Sequence, residues 1–490
     1  MQSEKEKMPA VPGRQLFIFI NFLGTDMFIQ LKEKIGYGLG DAASSMFWKV
    51  FSMYLLFFYT DVFGLDAATV GTMFLITRIW DSFFDPVVGV MADRTQSKYG
   101  KFRPYLLWIA IPFGIIGIIT FYTPDFGQTG KLIYAYVTYS LMMMVYSLIN
   151  VPYASLLGVM SANTKDRNAL SSYRMVFAFA GSLLALWGIE PLVKHFGDGT
   201  LVSSSGWVWA MVVFSFVAVT LFWGCFYLTK ERVKPVLEKA SSLKNDVKDL
   251  FANKPWWVLS VAAIAALVFN SIRDGAAVYY FKYYVGGGIA TEGDYKLLTF
   301  TLSLTTLYLV IGQAANIIGV IIATPLANRF GKKQVFFTAN LLAAVLSVLF
   351  YFIDKTNIAG ILLLQCIISI CAGSVFPLLW SMYADIADFS EWKNGRRATG
   401  LIFSSSSMAQ KFGWTIGGAA TGWLLASFGF KANEVQTASS LEGIKYMLSF
   451  LPAIGAAIAV IIIFFYPLHE QKVAEVSTAL STGNGSTTHE

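Results

Sequence analysis

Long apolar runs are the feature that most constrains the fold of this chain. A helix needs about 20 apolar residues to cross the hydrocarbon core of a bilayer. Twelve such runs are present, separated mostly by short polar loops: 37–60, 67–92, 104–123, 131–158, 169–191, 206–228, 256–285, 297–324, 336–353, 359–383, 398–429 and 443–467. The sequence therefore predicts an all-α polytopic membrane protein with twelve transmembrane helices.

The composition supports a membrane protein. Of the 490 residues, 56% are hydrophobic and 14% are charged, whereas a soluble domain carries about 25% charged residues. The net charge of +7 does not require a nucleic-acid partner, because basic cytoplasmic loops produce the same excess. The three cysteines and three histidines suggest neither a disulfide framework nor a metal cluster. We therefore expect no cofactor and no nucleic-acid partner.

The basic loops also indicate the orientation in the membrane. Lysine and arginine are concentrated at 93–103, 229–255, 325–335 and 384–397, whereas the alternate loops hold few. Cytoplasmic loops are enriched in these residues. We therefore predict that these loops and both termini lie in the cytoplasm.

The longest basic loop divides the chain into two sets of six runs. We predict a cytoplasmic or interfacial segment at 1–36, six-helix bundles at 37–228 and 256–467 joined by the cytoplasmic loop 229–255, and a disordered cytoplasmic tail at 468–490. For residues 1–26, an interfacial segment and a true start at Met27 both remain open.

The two halves also share weak sequence similarity. Gly-Asp-Arg-Lys-type motifs follow the second and eighth runs, and arginines that precede paired serines follow the fourth and tenth runs. Two facing six-helix repeats are the plan of the major facilitator fold, which alternates access to a site at the membrane midplane.

Paired carboxylates in the second run are the sharpest functional signal. An ionisable group in a span costs at least about 2.5 kcal/mol by insertion scales. Asp81 and Asp85 are four residues apart, so both project from one helical face, and Pro86 removes one helical hydrogen bond. Two close carboxylates in a low dielectric require a cation or a shared proton. We predict a coupling site for H⁺ or Na⁺; the alternative is a structural ion-pair network with Arg78 and Lys411.

Further polar residues in the spans are candidates for substrate binding. Tyr146, Ser147 and Asn150 share one face of the fourth run. Arg174 and Lys411 lie in the corresponding fifth and eleventh runs. Each of these two cations can contact a polar substrate or balance the aspartates.

The first and seventh runs carry additional charges. Asp41, Ser45 and Lys49 are spaced by four residues and follow one face of the first run. Arg273 and Asp274 are adjacent in the seventh run. They either neutralise each other or contribute to the substrate site.

With these residues in these runs, the chain resembles the glycoside–pentoside–hexuronide:cation symporters of the major facilitator superfamily. The likeness is strong in segments 37–65, 71–107 and 145–156 and extends from about residue 33 to 467. The RIWDSFFDPVVG block followed by the basic GKFRP loop is highly specific to that family. The resemblance implies symport of a sugar, glycoside or hexuronide with H⁺ or Na⁺ by alternating access, in a bacterial-type inner membrane.

The resemblance also implies roles for individual residues. It places the cation site at Asp81, Asp85 and Ser147. The candidate substrate-binding residues are Ser45, Tyr146, Asn150, Arg174, Arg273 and Lys411.

Departures from the melibiose-transporting branch of that family limit what carries over. Ser45 and Asn150 stand where that branch has two sugar-binding aspartates, Ala154 replaces a stacking tryptophan, and Phe84 replaces an asparagine linked to Na⁺ use. Melibiose specificity is therefore not expected. Since Phe84 removes one oxygen ligand and desolvation disfavours a charged carboxylate, we favour H⁺ over Na⁺.

The sequence fits other functional classes less well than it fits a symporter. The sequence shows no nucleophile–base pair or phosphate-binding loop that would indicate an enzyme. A membrane sensor would need a signalling domain, which the 27-residue loop and the tail do not supply. The polar, charged lining argues against a lipid or drug as cargo. We expect a monomeric transport unit whose other contacts are with membrane lipid.

Overall fold

The computed structural model describes residues 30–161, 164–232, 248–286, 295–297, 300–394 and 399–481. Its long helices in chain order are α1 (Leu31–Phe57), α2 (Ala67–Arg94), α3 (Arg103–Trp108), α4 (Ala110–Thr120), α5 (Gln128–Met160), α6 (Thr164–Phe196), α7 (Ser204–Leu228), α8 (Lys254–Tyr279), α9 (Leu304–Phe330), α10 (Lys332–Tyr351), α11 (Ile358–Asn394), α12 (Thr399–Ser427), α13 (Ala438–Leu448), α14 (Phe450–Phe464) and α15 (Glu470–Ser481). Strands β1 (Tyr295–Leu297) and β2 (Phe300–Leu302) form a short antiparallel hairpin with Tyr295 opposite Leu302.

Each predicted run corresponds to one helix or to two consecutive helices, and the all-helical class is confirmed. The third run is interrupted at Ile109, between α3 and α4, and the twelfth at Ser449, between α13 and α14. Pro112 and Pro452 account for both breaks, because a proline cannot donate to the carbonyl four residues earlier and its ring clashes with it. Helix α9, which corresponds to the eighth run, begins at Leu304 rather than at 297, since the hairpin precedes it.

Eight spans among the described helices satisfy length and hydropathy requirements for crossing a membrane. The remaining predicted spans do not satisfy these requirements, for different reasons. Helices α1 and α2 carry buried charges, α3 and α4 are interrupted, and α12 is rich in serine and glycine. Three of these less apolar helices, α1, α2 and α12, carry residues of the candidate site.

Equivalent helices pack in the same way in the two halves, α1–α7 and α8–α14. The first and fifth spans approach so closely that a Cβ on Gly181 would meet the backbone of Ala42. The seventh and eleventh spans have the matching contact between Gly417 and Ser271. Both α1 and α8 also end in π-helical turns, at Phe58–Val62 and Tyr280–Val285. These correspondences define two six-helix repeats.

The two halves meet near the end of the bundle where α1 and α8 terminate, which we call the closed end. There α2 and α12 are in backbone contact, because a Cβ on Gly71 would lie 2.6 Å from the carbonyl oxygen of Ala419. The indole of Trp423 donates to Thr72 Oγ1 at 3.0 Å. The opposite end, which carries the basic loops, is called the loop end.

The predicted disorder of the tail 468–490 is wrong for its first part, because 470–481 form helix α15. Val476 is 2% exposed and packs onto the C-terminal half. Glu470 accepts a hydrogen bond from the backbone N–H of Lys332 at 2.8 Å. This apolar face was overlooked among the polar residues around it. Residues 482–490, and residues 1–29 of the predicted segment 1–36, lie outside the described ranges. The boundary predicted at residue 37 is wrong, because the first helix already begins at Leu31.

Candidate functional site

The predicted coupling residues come together between the two halves. Asp81 and Asp85 project from α2 towards Lys411 on α12, whose ammonium group donates to Asp85 and lies 3.6 Å from Asp81 Oδ2. The hydroxyl of Ser147, on α5, donates to Asp81 Oδ1 at 2.8 Å. One lysine of the C-terminal half therefore bridges two carboxylates of the N-terminal half.

One carboxylate oxygen in this cluster lacks a partner. Asp85 Oδ1 is buried and accepts no hydrogen bond from the described residues. A buried acceptor without a donor is costly, and a proton or a small cation would satisfy it. Within the described ranges, no three His, Cys, Asp or Glu side chains form a metal site. A bound cation would therefore rely on the two aspartates and Ser147.

Arg78 does not join the aspartates as the structural alternative supposed. Its guanidinium carbon lies 4.3 Å from the centroid of the Trp48 ring, and its Nε donates to Tyr139 OH at 3.1 Å. Among the described residues, no carboxylate lies within ion-pair distance of Arg78. Of the ion pairs that this alternative expected, those of Lys411 are present. That of Arg78 is absent among the described residues, because aromatic groups contact its guanidinium.

Arg174 lies on α6 and pairs with Asp41 on α1. Its Nε donates to Asp41 Oδ2 at 2.9 Å, and its guanidinium carbon lies 5.3 Å from the centroid of the Tyr153 ring. The Arg174 side chain is 34% exposed, and it also interacts with the Tyr37 hydroxyl. Asp41 was noted in the sequence only as one of three residues on a helical face, with Ser45 and Lys49.

The remaining predicted substrate residues of the N-terminal half are placed nearby with unequal freedom. The Tyr146 ring lies 5.7 Å from that of Trp48. Asn150 donates its amide to the Tyr146 carbonyl at 3.0 Å, so that donor is held by its own helix. Ser45 is half-buried on α1. These residues line the same region as Arg174.

Arg273 is not placed as a substrate ligand, and it does not pair with Asp274. It is 4% exposed, and its guanidinium donates to Ser347, Tyr308, Gln365 and the Leu448 carbonyl. These acceptors come from α9, α10, α11 and α13, so Arg273 ties helices of the C-terminal half together. The sequence suggested that Arg273 and Asp274 neutralise each other, because the two residues are adjacent in the chain and no other contact can be read from a sequence.

Asp274 instead faces the N-terminal half. Its Oδ2 lies 3.8 Å from Lys49 Nζ on α1, and both side chains are partly exposed. Lys49 is eight residues further along α1 than Asp41, which is about 12 Å towards the closed end. Besides the ion pair of Lys411 with Asp85, the pair of Lys49 and Asp274 therefore also joins the two halves. It lies nearer to the closed end than Arg174 does.

A polar cluster at the closed end was missed by sequence reasoning. Lys282 Nζ donates to Asp61 Oδ1 at 2.6 Å and to Asn433 Oδ1 at 2.8 Å. Tyr283 also donates to Asp61, and Thr60 shares a hydrogen bond of 2.9 Å with the Tyr279 hydroxyl. Asp61 escaped notice because it follows the predicted end of the first run by one residue.

Glu190 provides a second link at the closed end. Tyr54 donates to its Oε1 at 2.9 Å, and Ser303, which precedes α9, donates to Oε2. Glu190 is 1% exposed. Its position inside the predicted run 169–191 was a sufficient signal, because a carboxylate in a span requires a partner.

Two six-helix repeats with charged pairs at their interface define a secondary transporter of the major facilitator class. A family model for MFS/sugar transport proteins matches residues 36–470. The chain belongs to that family and, within the superfamily, to the glycoside–pentoside–hexuronide:cation symporters. Since this is a family of transporters, the expectation of a transporter rather than an enzyme is confirmed.

Individual relatives cover nearly the whole chain. A putative glycoside/cation symporter, YagG, from Escherichia coli is 38% identical over 92% of this chain and 95% of its own length. The isoprimeverose transporter of Lactiplantibacillus pentosus is 35% identical over 89% of this chain and 88% of its own length. A crystal structure of a D-xylose–proton symporter superposes with a TM-score of 0.63 at 15% identity, covering 89% of this chain and 96% of that one. This last likeness concerns the fold alone.

Proposed function

We propose that this protein imports a sugar or glycoside together with H⁺ across a bacterial-type inner membrane. The observation that carries the proposal is the buried Asp81–Asp85 pair, bridged by Lys411 and left with one unsatisfied oxygen. The names of the relatives, a glycoside/cation symporter and an isoprimeverose transporter, support the cargo class.

The charge balance of the cluster fits one monovalent cation. Two carboxylates and one ammonium group carry a net charge of −1, which is unfavourable inside a bilayer. The electrostatic interaction of Arg78 with Asp81 offsets part of this charge. A proton on Asp85 satisfies its free oxygen and weakens its attraction for Lys411. Lys411 is then released from α2, so that cation binding is transmitted to the contact between the two halves. Na⁺ is the alternative occupant, with Asp81, Asp85 and Ser147 as oxygen ligands.

The substrate is placed at the exposed side of the Arg174–Asp41 pair. Arginine has five N–H donors, and the bond to Asp41 uses the Nε donor. The remaining donors suit sugar hydroxyl groups. Because Asp41 already balances the charge of Arg174, a neutral glycoside is the first candidate. A hexuronide is the second, since Arg78 has no carboxylate partner among the described residues and can balance an acid.

The described state is one of the two that alternating access requires. The halves meet at the closed end through Asp61, Lys282 and Glu190. With the basic loops in the cytoplasm, the closed end faces outwards, and we propose that this conformation is open to the cytoplasm. Both termini then lie inside the cell.

Uptake into vesicles tests this function. The full-length protein is reconstituted, and a labelled panel of neutral disaccharides, β-glucuronides and simple sugars is offered under imposed H⁺ or Na⁺ gradients. We expect a glycoside to accumulate under an inward H⁺ gradient and to drive H⁺ entry when added. Accumulation under a Na⁺ gradient alone would replace the proton with sodium. Absence of gradient-driven accumulation for every member of the panel would contradict the proposal.

A further inference from the structure

A lipid-facing groove at the loop end of the C-terminal half lies apart from the transport site. Helices α9 and α10 are separated only by Gly331, which has φ +89° and so adopts a conformation that favours glycine. Helix α9 packs tightly on α11, because a Cβ on Gly319 would meet the Ile370 backbone. Helix α10 packs on α11 and has fewer contacts with α9. The opening between the helices has a volume of about 840 Å³.

The walls of this groove are apolar. Leu326 and Phe330 come from α9, Leu342 from α10 and Phe464 from α14, and each is more than one-third exposed. Ile370 and Ser374 of α11 form its floor. An exposed apolar surface of this size on a membrane protein faces acyl chains.

The groove has the length of one lipid leaflet. From Lys333 to Leu342, α10 rises by about 14 Å. Half of a hydrocarbon core of about 30 Å is about 15 Å. An acyl chain that enters beside Lys333 would therefore end near Leu342.

The charged residues of the groove lie at its mouth. A second cavity of about 750 Å³ shares Phe330, Lys333 and His469 with the groove and is also lined by Arg329 and Glu470. The Lys333 ammonium donates to the carbonyls of Phe464 and Tyr466, both at 2.8 Å. That arrangement holds its charge at the mouth and leaves one of its three donors.

The charge at the mouth is incompletely balanced. Lys332 pairs with Asp385 at 2.7 Å, and the Glu470 carboxylate accepts from a backbone N–H. Among the described residues, neither Arg329 nor Lys333 has a carboxylate within 4 Å. Two cations above an apolar slot one leaflet deep complement an anionic phospholipid. Basic pockets between transmembrane helices bind such head groups.

We propose that this groove binds one anionic phospholipid of the bilayer, with its phosphate at Arg329 and Lys333 and an acyl chain along α10. The lipid fills the space between α9 and α10 on the side of Gly331. This site is independent of the proposed cargo and coupling cation.

Lipid competition on the purified full-length protein tests the proposal. Native mass spectrometry is used to compare retention of phosphatidylglycerol with that of phosphatidylcholine after delipidation. Each cation near a membrane surface contributes about 1 kcal/mol, a factor of about five in affinity. We expect Arg329→Gln and Lys333→Gln each to reduce phosphatidylglycerol affinity about fivefold without changing that for phosphatidylcholine.

Two controls separate the groove from general attraction to anionic lipid. Lys98→Gln removes an exposed cation from the basic loop of the other half and should leave phosphatidylglycerol binding unchanged. Leu342→Trp fills the apolar slot without altering charge and should release the tightly held lipid. Equal losses in Lys98→Gln, or full retention in both Arg329→Gln and Leu342→Trp, would overturn the proposal.

Discussion

Removing the charge of Asp61 should open the closed end. The Asp61 carboxylate is fully buried and bonded to Lys282, Tyr283 and Thr60. In a state open at this end, both the carboxylate and the ammonium group would be hydrated. Asp61→Asn therefore destabilises the described conformation and leaves the opposite conformation almost unaffected.

The size of this effect follows from the contacts. Breaking a buried ion pair costs about 3–5 kcal/mol, but asparagine keeps part of the hydrogen bonding and Lys282 is 18% exposed. We therefore take about 2 kcal/mol, the value of a hydrogen bond to a charged group. This free energy shifts the equilibrium between the two conformations about 30-fold.

Distances across the closed end report the shift. Spin labels at Phe126 and Val435, which are exposed on loops of opposite halves, are suited to double electron–electron resonance in a background with Cys366 and Cys371 replaced. Asp61→Asn should enlarge the long-distance population. Lys431→Gln is the control, because its pair with Glu434 is well exposed and such pairs contribute little. Unchanged distances in Asp61→Asn, or an equal shift in Lys431→Gln, would refute this reasoning.

Three further outcomes are expected. Arg174→Gln should lower glycoside affinity at least tenfold, as measured by calorimetry. Arg174→Lys should not restore the affinity, since lysine lacks the planar fork of donors. Wild-type affinity in Arg174→Gln would show that Arg174 has a structural role only. Ser147→Ala removes the donor to Asp81, so Asp81 should attract the shared Lys411 more strongly and Asp85 should bind a proton more readily. Half-maximal uptake should then require less H⁺, by up to about tenfold for a bond worth about 1.5 kcal/mol, and an unchanged proton dependence would argue against this site. Gly422→Val forces α2 and α12 apart, because its Cβ would meet the Ala67 carbonyl, and should slow uptake strongly; Gly127→Ala, which faces open space, should not.

The arrangement of helices could be predicted because it follows from apolar run length. The pair Asp81 and Asp85 was accessible for a similar reason, because helical periodicity alone places both carboxylates on one face. The breaks between α3 and α4 and between α13 and α14 could not be predicted, because prolines such as Pro152 also lie inside unbroken helices.

Partners that come from distant helices could not be predicted in this way. Arg273 and Asp274 are neighbours in the chain, yet one bonds within the C-terminal half and the other faces Lys49 of the N-terminal half. The choice depends on how the two bundles meet, which no local pattern encodes. The same holds for the contact of Asp61 with Lys282, where a residue at the margin of a span acquires its role only through packing.

The central claim, that Asp81 and Asp85 bind the coupling cation, is tested most directly by comparing exchange with accumulation in Asp85→Asn. Reconstituted protein is assayed for exchange of labelled glycoside at equilibrium and for uptake driven by an imposed H⁺ gradient. The account predicts that Asp85→Asn retains exchange, because the fold and the Arg174 site are intact, and loses concentrative uptake. Accumulation of glycoside by Asp85→Asn to the wild-type level would contradict it.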